Sequence, residues 1–73
     1  MDRATIQHLL QNAESLLERG ELNIVFQRQM IARLERGGHD VKAAKMFLKR
    51  LEAKRARHVA DRDLLFKRLA NGF

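Results

Sequence analysis

Three histidines, the hydroxyls of Thr5 and Ser15, and nine Asp or Glu carboxylates are the groups in this chain that could carry nucleophilic, acid–base or metal chemistry. An activated hydroxyl needs a histidine beside it and a third group to orient that histidine. Neither Thr5 nor Ser15 has such neighbours nearby in the sequence. Metal sites inside helical bundles use clustered carboxylates with Glu-x-x-His spacing on facing helices. His58 instead has Arg55 three residues before it and Arg62 four after, both of which repel a cation. His8 belongs to the outer side of its helix, and His39 stands between two glycines and an aspartate. Cysteine is absent, so thiolate ligands and disulfides are excluded. No catalytic residue, metal site or cofactor is expected, and the functions left open are those of surfaces.

The cations are the largest group with a chemistry of their own. Net charge is +6, and it is unevenly placed. Residues 1–40 hold five Lys or Arg against six Asp or Glu, whereas residues 41–73 hold ten against three. Projected as a helix, Lys42, Lys45, Lys49, Arg50, Arg57, Lys67 and Arg68 fall within half a circumference, with Lys54 at its margin. Such a stripe can track phosphates through long-range attraction. No aromatic is interleaved with it for base stacking, and no Asn or Gln accompanies it for base readout. Nucleic-acid binding is therefore the second functional reading.

The elements that must position these groups are helices. Proline, tryptophan and tyrosine are absent, and Ala, Leu, Arg, Lys, Glu and Gln dominate. These side chains lose little freedom in a helix. The β-branched residues are scattered and never alternate, so strands have nothing to form from. One breaker stands out: Gly37-Gly38-His39-Asp40. Gly37 suits the positive-φ position that closes a helix, and Asp40 suits the N-cap of the next, accepting from the amide of Ala43 or its neighbour. A connection this short forces the flanking helices to run antiparallel.

Helix 1 is expected over about residues 5–36, with a seam at Ile6, Leu10, Ala13, Leu17, Gly20, Ile24, Ile31 and Leu34, and Gln27 filling one polar slot. Helix 2 is expected over about 41–70, with a seam at Ala44, Leu48, Leu51, Arg55, His58, Arg62, Leu65 and Leu69, and Phe47 and Phe66 flanking it. Both seams alternate steps of four and three, which is coiled-coil spacing. The seam passes Gly20 in phase, which argues for a continuous helix, although a turn at 18–21 and a three-helix arrangement remain the alternative. Folded about the turn, Gly20 falls near His58 and Leu17 near Arg62. Gly20 then either makes room for a facing ring or lets the backbones approach. Arg55, His58 and Arg62 interrupt the seam and must find polar partners, for which Glu14, Glu18 and Glu21 are the expected ones. The other use of such an interruption is a ligand pocket.

Two helices alone bury one stripe each, and small hairpins commonly pair into four-helix bundles. Leu22, Phe26 and Met30 form a second apolar stripe away from the seam of helix 1, at steps of four. This stripe is the expected dimer or partner interface, and Met46 could join it.

The segments LERGGHD at 34–40 and HVADRD at 58–63, with Phe26-Gln27-Arg28-Gln29 upstream, resemble those of a group of short bacterial helical-hairpin proteins of unknown function. The likeness covers about residues 17–69 and departs from the group at Arg55 and Arg57, where apolar residues are expected. It implies the hairpin fold and no activity.

No stretch approaches the ~18 apolar residues of a membrane span, and MDRATIQHLL lacks the pattern of a secretory signal. Arg55 and Arg62 also stand where a membrane-surface helix needs hydrocarbon. The sequence predicts a single cytoplasmic all-α domain over 1–73: an antiparallel hairpin that dimerises, binds another protein and catalyses nothing.

Overall fold

Helix formation begins two residues earlier than the seam suggests, because Asp2 is a good cap. Its Oδ1 accepts the backbone amide of Thr5 at 2.7 Å, satisfying one of the free N–H groups of the first turn. The computed structural model describes residues 2–72. Within it, α1 spans Arg3–Arg36 and α2 spans Lys42–Asn71, and among the described residues there is no strand. Helix α1 runs unbroken through Gly20, so the three-helix alternative is not realised.

The connection is a Schellman turn, shifted by one residue from the expected position. The Gly38 amide donates to the Glu35 carbonyl at 3.1 Å, and the His39 amide donates to the Leu34 carbonyl at 2.9 Å. These are the two bonds that close a helix through a left-handed residue. That residue is Gly38, at φ 75°, not Gly37, whose φ of −83° any residue can adopt. An added Cβ at Gly37 would lie 2.9 Å from the ring of His39, an exposed side chain that can turn away. Asp40 accepts an amide hydrogen bond of the kind expected of it, from the neighbour of Ala43, but does not hold the N-cap position. Val41 is the N-cap of α2 and has no side-chain cap bond. The Asp40 carboxylate accepts the amide of Lys42 at 3.0 Å, a local turn that leads the chain into α2.

The two helices then lie side by side as an antiparallel rod of 55 × 14 × 14 Å. The ion pairs Lys45–Glu35 at 3.5 Å and Arg28–Glu52 at 3.2 Å mark the register, as helix 1 is read backwards while helix 2 is read forwards. Both contacts are exposed, and pairs of this kind contribute at most about 1 kcal/mol each. They report the register more than they enforce it.

The seam does enforce it. Ile6, Leu10, Ala13, Leu17, Ile24, Gln27 and Ile31 are the buried residues of α1, all at the spacing read from the sequence. Their counterparts in α2 are half-buried at Ala44, Leu48, Leu51, His58, Arg62, Leu65 and Leu69, while Arg55 is exposed. No residue of α2 is fully buried. The asymmetry follows from polarity: three seam positions of α2 hold Arg55, His58 and Arg62, whose polar ends reach toward water, whereas the seam of α1 holds one polar residue, Gln27.

Candidate functional site

Three surfaces of the rod carry side chains that the fold leaves without partners. The first is apolar. Leu22, Phe26 and Met30 project from the middle of α1 and are 56%, 60% and 44% exposed. Large apolar groups this open at successive turns form a patch that water disfavours. Leu9, Leu16 and Met30 share one edge of the same helix at seven-residue spacing, with Asn23 between them, and Leu9 and Leu16 are also exposed. That edge was legible as a seven-residue repeat, but the four-three seam beside it dominates the pattern. On α2, Met46, Phe47, Leu64 and Phe66 remain exposed.

The second surface is basic. All seven cations assigned to the anion-facing side of α2 (Lys42, Lys45, Lys49, Arg50, Arg57, Lys67 and Arg68) are exposed. Among the described residues, only Lys45 of the seven is in an ion pair, with Glu35. The stripe is thus a row of hydrated charges with little internal neutralisation, which favours an anionic counter-surface.

The third lies in the middle of the rod, where Arg55, His58 and Arg62 replace apolar seam residues. The structure corrects the contacts expected of them. Arg62 pairs with Asp63, its own neighbour in sequence, at 3.2 Å. It does line a shallow groove with Glu14, Glu18 and Glu21, so the opposition of charges exists without an ion pair among the described residues. The Nδ1 of His58 is buried without a hydrogen-bond partner among the described residues. Interhelical polar bonding is carried elsewhere. The amide of Gln27, 8% exposed, donates to the Ala44 carbonyl at 3.0 Å, and Arg28 donates to Glu52.

Gly20 faces this polar stretch, and neither expected role fits it. A Cβ built there would meet nothing within 4 Å, so no ring and no opposing backbone fills the space. The result is a cleft of about 200 Å³, which the sequence reading left open only as an alternative.

Among the described residues, no three His, Asp or Glu side chains converge as a metal ion would need, and no helix is long and apolar enough to cross a membrane. No family model, curated protein or solved structure matches the chain.

Proposed function

We propose that this chain is a non-enzymatic interaction module of the cytoplasm, working as a four-helix bundle made from two copies of the hairpin. Leu22, Phe26 and Met30 form the contact between copies, and the remaining helical faces engage another protein. The observation that carries the reading is the incompleteness of the single hairpin: α2 buries no residue fully, while among the described residues ten large apolar side chains stay more than a third exposed. Burying apolar area is the main favourable term in association, and a symmetric pairing covers the same patch on both copies at once.

Light scattering coupled to size exclusion tests this directly. The chain has a mass of 8.5 kDa, and the expected particle has twice that. The double variant Leu22→Glu, Phe26→Glu is expected to elute as a monomer that keeps its helical circular dichroism. A wild type that stays monomeric at millimolar concentration rejects self-association, and a double variant that keeps the dimer mass rejects this surface.

The unpaired cations of α2 support a second reading, in which the basic side binds nucleic acid. Generic RNA or duplex DNA would then bind with an affinity that falls steeply with salt and is abolished by Lys45→Glu with Lys49→Glu. Absence of binding at ~100 mM salt retires that reading.

A further inference from the structure

The cleft opposite Gly20 has the composition of an anion site. Its lining brings Arg19 and Gly20 of α1 together with Lys54, Arg55 and His58 of α2, and no carboxylate lines it. Arg19, Lys54 and Arg55 take no part in any ion pair among the described residues. His58 lines the same cleft; its Nδ1 is buried away from solvent, which leaves the other edge of the ring to meet the cleft. Gly20 keeps the space open, since a Cβ there would touch nothing within 4 Å. Leu16 and Leu51 form the apolar part of the lining.

From these features we propose that the cleft binds a phosphate group, held by Arg19, Lys54 and Arg55 and accepting a hydrogen bond from the His58 imidazole. Three cations without a counter-charge favour a multiply charged oxyanion over a carboxylate, and a guanidinium offers paired N–H donors that match phosphate oxygens. The volume of about 200 Å³ is below the ~300–1,000 Å³ of pockets that enclose drug-sized molecules. It suits the phosphate itself, free in solution or carried on a larger molecule that extends out of the cleft. None of the seven cations of the basic stripe lines the cleft, and only Lys54, at the margin of that stripe, joins the two.

The test is a titration of the full chain with inorganic phosphate, and in a parallel arm with adenosine 5′-monophosphate, at a constant ionic strength of about 0.15 M, where charges more than about 8 Å away are screened. Calorimetry reads the affinity, and the side-chain 15N resonances of His58 read the location. Saturable binding with displacement of the His58 signals is expected, and sodium chloride at matched ionic strength should leave them in place. Tighter binding of the nucleotide would assign the phosphate to a carrier, and equal binding would assign it to the free ion. Arg55→Glu is expected to weaken binding at least tenfold. Gly20→Leu fills the cleft without adding charge and favours the helix, so it should weaken binding as strongly while far-ultraviolet circular dichroism stays at or above the wild-type level. The paired variant Lys42→Glu, Lys49→Glu should leave the affinity within twofold. The proposal is overturned if phosphate leaves His58 unmoved, if Gly20→Leu binds like wild type, or if the remote charge reversal weakens binding as much as Arg55→Glu does.

Discussion

Glycine shows how differently one residue type acts at different places in this chain. Gly38 sits at φ 75°, where a Cβ clashes with its own backbone, so Gly38→Ala is expected to cost about 1 kcal/mol of stability. Gly20 sits in mid-helix with open space around it. Gly20→Ala should therefore raise stability by up to about 1 kcal/mol through helix propensity alone. Urea unfolding at a fixed protein concentration reads both, and equal signs for the two variants would reject the assignment of the left-handed residue. Asp2 supplies a test in pH. Hydrogen bonding from Thr5, through its side chain first and its backbone amide second, holds the Asp2 carboxyl below its ordinary value. A depressed acid stabilises the fold above its unfolded pKa, and that contribution fades as pH falls through the folded value. The first turn of α1 should thus be capped at neutral pH and fray in acid below the usual aspartate range. Amide exchange at Thr5 follows it, and Asp2→Asn should remove the pH dependence while leaving a cap.

At the scale of the element, the two helices share one spacing but contribute unequally. Ile24 of α1 is 3% exposed, whereas Leu48 of α2 is half-buried. In the Leu22→Glu, Phe26→Glu background, which isolates the hairpin, Ile24→Ala is expected to cost about 3 kcal/mol and Leu48→Ala about half of that. Equal costs would show that α2 is packed as tightly as α1. Both seams were legible from four-three periodicity at every position except Arg55, which is exposed, because a 3.6-residue helix must repeat its inner face in that way. Cap positions were off by one or two residues. A glycine pair offers two places for the left-handed residue, and only the closing bonds of His39 and Gly38 choose between them.

The whole molecule is a thin rod with more apolar surface than one hairpin can cover, and association adds a dependence on concentration. If two copies share the Leu22–Phe26–Met30 patch, the midpoint of thermal unfolding rises with protein concentration. The rise is expected to vanish in Leu22→Glu, Phe26→Glu, as followed by circular dichroism over a hundredfold dilution. A wild-type midpoint that ignores concentration would count against the bundle.

By itself, the sequence determined the helical content, the single turn at 37–40, the antiparallel course and the inner face of each rod. These follow from local propensity and from a periodicity that any helix must obey. Only the tertiary structure decided what the polar interruptions do. Arg62 turns to Asp63, Gln27 reaches the Ala44 carbonyl, and the space beside Gly20 stays open. Long polar side chains have several partners within reach at almost equal energy, so their choice depends on the spacing and offset of two packed helices, which no local pattern encodes.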